Sequence, residues 1–290
     1  MSEYVIITDS SCDLPASMAD EMELTVVPLT VTMEEKSNYN YLDWREMQPK
    51  VFYDKLRNGV MAKTAAPSIG AFETAAEEHL KNGTDVLFLC FSSGLSATYQ
   101  SALSAVEDLV KKYPERKIIA VDTLCASLGE GLILHLAVKK KREGLSIEQL
   151  RDYVEEIRLS ICHWYTVDDL HFLKRGGRVS ATVEIIGSLL GVKPVMHMDD
   201  EGKLVNVEIA RGRKGSIKKL KDKMAELAVD PASQTVFISH GDCEDEANIL
   251  ADMIKAQLGV KEVVVNMIGP VIGAHSGPGT IALFFVGSKR

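Results

Sequence analysis

The sequence predicts an α/β protein of two domains, the first built on a parallel doubly wound sheet and the second on a mixed one. Two observations carry this. Short apolar, β-rich runs that end in polar turns and then open helices recur three or four times before residue 150, as in a parallel sheet with right-handed crossovers. After residue 160 the turn Asp199-Asp200-Glu201-Gly202 joins two β-rich runs, which is a hairpin signal and calls for antiparallel pairing. The boundary is placed near 160, giving domains 1–160 and 161–290.

In chain order, Tyr4-Val5-Ile6-Ile7-Thr8 reads as a strand followed by the polar turn Asp9 to Leu14, with a helix opening at Pro15. Leu24 to Thr32 is a second β-rich segment, and Glu34 to Asp43 reads as a loop before a helix that includes Met47 to Leu56. Lys63-Thr64-Ala65-Ala66-Pro67-Ser68 is a hydroxyl-bearing turn ahead of a helix over Ala71 to Leu80. Val86 to Phe91 is a short buried strand, and Ser92-Ser93-Gly94 breaks it before a helix whose first turn Ser96 or Thr98 can cap. Lys117 to Thr123 repeats the pattern, and Ser127 to Glu143 is a long helix that stops at Gly144. In the second half a short helix precedes the glycine turn Gly176-Gly177, an apolar helix covers Val183 to Leu190, and the hairpin follows. A helix over Lys214 to Ala228 is basic in its early turns. Strands at Thr235 to His240 and Glu262 to Met267 flank a helix over Glu246 to Leu258. A Gly/Pro-rich turn carrying His275 leads into the apolar run Ile281 to Val286.

Composition narrows the function. The chain has 290 residues, 46% of them hydrophobic, and a formal net charge of −8, which argues against nucleic acid or an anionic membrane as the main partner. No apolar run reaches about 18 residues, so stable membrane insertion is not expected. Glu3, Asp9 and Asp13 stand where a signal peptide would be basic and then apolar, so a cytoplasmic location is expected. Five scattered cysteines without C-x-x-C spacing point to reduced thiols and to no metal site.

The chemistry concentrates at the serine turn. Free N–H groups of a helix start, its dipole and several hydroxyls converge where a doubly wound sheet binds ligand, which makes an anion site. Gly-x-Gly-x-x-Gly and Gly-Lys-Ser/Thr are both missing, so a small anion or carboxylate fits better than a nucleotide. Thr64, Ser92, Ser93, Ser96 and Thr98 are the donors to surround it, because an anion shielded from water requires hydrogen bonds. His275 sits among Gly273, Gly277, Pro278 and Gly279, where the backbone can approach a ligand closely; His240 holds a similar place at a strand end. Arg175, Arg178, Arg211, Arg213 and Lys214 are local cations suited to a phosphate or an acidic partner. Two other readings use the same residues: an esterase or acyltransferase with Ser93 activated by His275, and a sensor of phosphorylated ligands.

These pieces together resemble the DegV family, the fatty-acid-binding (FakB) subunits of bacterial fatty acid kinase. The resemblance rests on Thr8-Asp9-Ser10, Lys63 to Ser68, Ser92 to Ala102, Asp122-Thr123, Phe172 to Arg178, Gly187 to Pro194 and Gly269 to Gly279, in this order. It implies a tunnel between two α/β domains that holds a long-chain fatty acid of the palmitate or oleate kind, with no cofactor. It implies a carboxylate site at Thr64, Ser93 and His275, to which the residue reading adds Ser92 and Ser96. It further implies a carrier with no catalytic residue of its own, serving an ATP-dependent kinase subunit (FakA, dihydroxyacetone-kinase-like) whose acyl phosphate feeds phospholipid synthesis. Arg178 and Arg211 would then lie near that phosphate or the kinase. Ala97 stands where the family usually has glycine, and Ala65 where it has serine.

Overall fold

Residues 3–179 and 191–290 are described by the computed structural model. The first half runs β1 (Tyr4–Asp9), α1 (Ala16–Glu21), β2 (Thr25–Val27), β3 (Thr30–Met33), β4 (Lys36–Tyr39), α2 (Pro49–Arg57), β5 (Ala62–Ala65), α3 (Ile69–Lys81), β6 (Asp85–Cys90), α4 (Thr98–Lys112), β7 (Ile118–Asp122), α5 (Leu128–Arg142) and α6 (Ile147–Ile157). Its main sheet has the order β2-β1-β6-β7, parallel throughout. All six residues of β6 are buried, as an inner parallel strand covered on both faces requires. A small antiparallel sheet, β4-β3-β5, stands beside it.

The second half runs β8 (Ile161–Thr166), α7 (His171–Arg175), β9 (Val192–Met198), β10 (Leu204–Arg211), α8 (Gly212–Leu227), β11 (Thr235–His240), α9 (Glu244–Leu258), β12 (Glu262–Met267), α10 (Pro270–Ser276) and β13 (Ile281–Val286). Its sheet has the order β10-β9-β8-β13-β11-β12, mixed as expected, with only the β11–β12 pair parallel. The expected β9–β10 hairpin is present, while the expected helix over Val183 to Leu190 lies outside the described residues.

Helix α5 positions everything else. Every residue from Leu128 to Leu134 is buried, because the helix packs against β8, β11 and β13 of the second sheet while its apolar side chains share one core with Ile6, Leu87 and Leu89 of the first. A helix buried all round needs no strong amphipathic stripe.

Four expectations are corrected. The segment Leu24 to Thr32 is two strands in two sheets, since Pro28 has no N–H to continue a ladder. The stretch Glu34 to Asp43 is not a plain loop but contains β4. Part of the Lys63 to Ser68 turn is strand β5. The Gly/Pro-rich turn around His275 is helix α10, with Pro270 at its first position and Gly277 (φ +79°) ending it.

Candidate functional site

Thr64 sits on β5, Ser96 in the turn after β6, Arg178 just past α7 and His275 on α10; all four line one cavity of about 290 Å³ between the halves of the molecule. Most of the remaining wall is apolar, including Phe91, Leu95 and Ala126 from the first half and Met198, Leu204 and Phe284 from the second.

The polar four are linked. His275 Nε2 lies 2.8 Å from Thr64 Oγ1, and its Nδ1 is buried without a partner among the described residues. That ring edge packs so closely on Gly176 that a Cβ there would come within 2.2 Å of Nδ1. Burial, then the nearby Arg178 and Arg175 charges, push the imidazole down to about 4, so it is neutral at physiological pH. Arg178 Nε donates to Leu95 O at 3.1 Å and Nη1 donates to Gly176 O, strapping α7 to the residue before Ser96. Burial lowers the guanidinium pKa, and among the described residues no carboxylate is paired with it. Ser96 Oγ lies 2.8 Å from Thr98 Oγ1 and accepts the Thr98 N–H, which satisfies the start of α4. Ala97, next to it, has φ −78°, open to any residue, so its methyl causes no strain. The result is a largely apolar cavity with hydroxyls, an imidazole and a cation gathered in one place.

The other expected residues are elsewhere. Ser92 is fully buried but faces the β9–β10 hairpin, its hydroxyl donating to Gly202 O at 2.9 Å. Contact there is close: a Cβ on Gly202 would lie 2.1 Å from Ser92 Oγ. Ser93 is exposed, with its N–H on Asp122 Oδ1, and neither serine lines the cavity. Arg211 is exposed at the end of β10, away from the lining. His240 Nδ1 accepts the Cys243 N–H before α9. Among the described residues no hydrogen bond joins Ser93 to His275, the pair an esterase would need.

Sequence reading missed a second polar group in the wall, Ser127 and Ser239, behind which lie three buried carboxyls. Asp9 accepts the Ser11 and Phe91 N–H groups (3.0 and 2.9 Å), Glu130 accepts the Thr8 hydroxyl (3.1 Å), and Asp13 accepts the Gly269 N–H (2.9 Å) and the Ser127 hydroxyl (2.5 Å). Desolvation raises Asp9 to about 6, Asp13 to about 7 and Glu130 well above its usual range. Asp9 and Asp13 stood in plain sight in the first βα turn; the signal was two carboxylates at the end of a buried strand.

The chain matches the family model described as an uncharacterised protein of the DegV family over residues 3–288. It belongs to the DegV family. Over its full length it is 43% identical to a DegV domain-containing protein of Clostridium perfringens, of which the alignment covers 99%. The solved structure of a DegV family protein from Thermus thermophilus, described by its fatty acid binding, is similar with a TM-score of 0.85 and 32% identity over 98% of this chain and 99% of that one. A stearic acid-binding protein from Eubacterium ventriosum is similar with a TM-score of 0.86 and 25% identity over 97% of each chain. This DegV-family chain therefore shares its architecture with proteins crystallised as fatty-acid binders.

Proposed function

We propose that this protein binds a long-chain fatty acid in the cavity, with the carboxylate at Thr64, Ser96, His275 and Arg178 and the hydrocarbon along the apolar wall. The observation that carries the reading is the meeting of Thr64, His275 and Arg178 around Gly176, with Ser96 next to Leu95, in a cavity whose wall is otherwise largely apolar. Burying about 15 methylenes at roughly 0.8 kcal/mol each contributes on the order of 10 kcal/mol. The carboxylate, costly to desolvate unpaired, meets two hydroxyls, a neutral imidazole and the half-buried Arg178 charge. In this reading Ser96 takes the part expected of Ser93, because Ser96 lines the cavity and Ser93 does not.

The protein is a carrier without turnover of its own. It presents the carboxyl to an ATP-dependent kinase subunit in the cytoplasm, and the resulting acyl phosphate enters phospholipid synthesis. Ser92 then closes the wall by clasping the hairpin, and the exposed Arg211 is left for the partner surface. Mass spectrometry of an organic extract from natively purified protein, followed by titration of the delipidated protein with palmitate and oleate, tests this. A stoichiometric fatty acid and saturable uptake are expected; an extract like that of an unrelated protein, with no uptake, ends the reading.

A further inference from the structure

Two glycines let α7 and α10 interlock beside the cavity. Gly176, which closes α7, receives the His275 ring of α10, and Gly277, which closes α10, receives the Phe172 ring of α7. A Cβ at either glycine would come within 2.5 Å of the ring it faces. Gly277 is also required by its backbone, at φ +79°. Gly176 has no such need: at φ −73° and ψ −9° alanine is ordinarily the better residue, so what Gly176 supplies is room for the imidazole. A side chain there would press the ring toward Thr64, and α7 could yield only by lifting Phe172 off Gly277.

The contact decides which ring nitrogen carries the proton. The imidazole is neutral, so one nitrogen is a donor and the other an acceptor. A proton on Nδ1 would be a buried donor against Gly176, with no partner among the described residues. The Gly176 carbonyl also accepts from Arg178 Nη1, which sets a positive charge beside the glycine on which Nδ1 rests. Such a charge favours a lone pair over an N–H dipole. The proton is therefore on Nε2 and is donated to Thr64 Oγ1, 2.8 Å away. Thr64 lines the cavity, and its hydroxyl has no second partner among the described residues, so its own proton is left for a ligand. With the opposite tautomer Thr64 would give that proton to the ring and meet a carboxylate with a lone pair.

We infer that Gly176 is a positioning residue for the ligand: it seats His275 with the proton on Nε2, the imidazole donates to Thr64, and Thr64 donates to the fatty-acid carboxylate. This rests on the fatty-acid reading above. Two measurements test it. Nitrogen NMR of the delipidated full-length protein, labelled at its histidine nitrogens and held near neutral pH, reads the tautomer, the His275 signals being identified by their loss in His275→Gln. A protonated Nε2 and a bare Nδ1 are expected; a protonated Nδ1 overturns the inference. Calorimetric titration with palmitate reads the consequence. Gly176→Ala is expected to bind about fivefold to tenfold more weakly, the worth of one net hydrogen bond, and to add little to the loss caused by Thr64→Val, because both act on one donor. A Gly176→Ala protein that binds like the parent, or whose loss adds in full to that of Thr64→Val, overturns the inference, while palmitate binding by the parent still upholds the fatty-acid reading. Should the alanine variant not fold, the tautomer in the parent decides alone. A parent that binds no palmitate removes that reading and the inference with it.

Discussion

Two polar regions border the same apolar cavity, and they are built in opposite ways. At Thr64, Ser96, Arg178 and His275 the chain gathers hydrogen-bond donors and a cation, with no carboxylate paired to them among the described residues. Around Asp9, Asp13 and Glu130 it gathers acceptors and meets them with its own N–H and O–H groups. The first region has capacity to spare for an anion, whereas the second is largely satisfied from within. The difference separates recognition from architecture: Asp13 ties the first βα turn to α5 through Ser127 and to α10 through Gly269, and α10 carries His275.

Breaking the architectural region is expected to cost most. Asp13→Ala leaves the buried Gly269 N–H and Ser127 O–H without acceptors, at about 1–3 kcal/mol for each orphaned group. A loss of about 2–6 kcal/mol in urea unfolding is therefore expected, together with impaired ligand binding because α10 loses its anchor. An Asp13→Ala protein as stable as the parent would mean that the region is not architectural.

The same carboxyls set a pH dependence. Asp9 and Asp13 rise from 3.8 to about 6 and about 7 on folding, so the folded state holds protons that the unfolded state has released. Their contribution is fully present below 3.8 and is lost as pH rises through 6 to 7. The buried histidines work the other way: His275 is lowered to about 4, so its term grows with pH and is complete about one unit above the unfolded value of 6.5. Through pH 6 to 8 the carboxyl and histidine terms oppose one another, each group changing by at most about 1.4 kcal/mol per pH unit. Asp13→Asn removes one falling term, so its stability is expected to gain on that of the parent as pH rises from about 4 to about 7; chemical denaturation of both proteins at a series of pH values reads the difference.

The recognition region answers with affinity instead. Arg178→Ala removes the charge that faces the carboxylate in the proposed complex and is expected to weaken fatty-acid binding by about 1.5–3 kcal/mol, the range for hydrogen bonds to charged groups. Because burial disfavours that guanidinium when no anion is bound, the ligand-free protein is expected to lose little stability. A large drop in melting temperature with unchanged affinity would reverse the assignment of Arg178 to recognition.

How much of this was legible in the sequence follows from how local each signal was. Strands β1, β6 and β7 announce themselves as unbroken apolar runs, and the β9–β10 hairpin by Asp-Asp-Glu-Gly. Strand β4 was hidden because its turn is made by Glu34 and Glu35, both at positive φ (+49° and +65°), where Asn-Gly or Asp-Gly would have signalled it. Helix α10 was hidden because Pro270 and Gly277, which punctuate a helix, also read as a turn when only seven residues separate start from stop. Thr64, Ser96 and His275 were legible as residue types at strand and helix ends. Their meeting was not, since Thr64 and His275 are 211 residues apart and join only when α10 packs beside β5. Arg178 was legible as a cation but not as part of the cavity wall.

The finest test of the comparison lies within a single turn. Ser93 and Ser96 are three residues apart, and both look equally able to hold a carboxylate in the sequence. The chain folds back after Ser92, whose carbonyl accepts the N–H groups of both Leu95 and Ser96 (3.1 Å each), and this sends Ser96 inward and leaves Ser93 outside. Ser96→Ala is therefore expected to weaken binding of palmitate by about 1 kcal/mol, one hydrogen bond to the ligand, whereas Ser93→Ala is expected to change it by less than about 0.5 kcal/mol. Parallel titrations of the two variants decide between them. A loss in Ser93→Ala that exceeds the loss in Ser96→Ala would require the turn to rearrange around the ligand, placing recognition in a conformation different from this one.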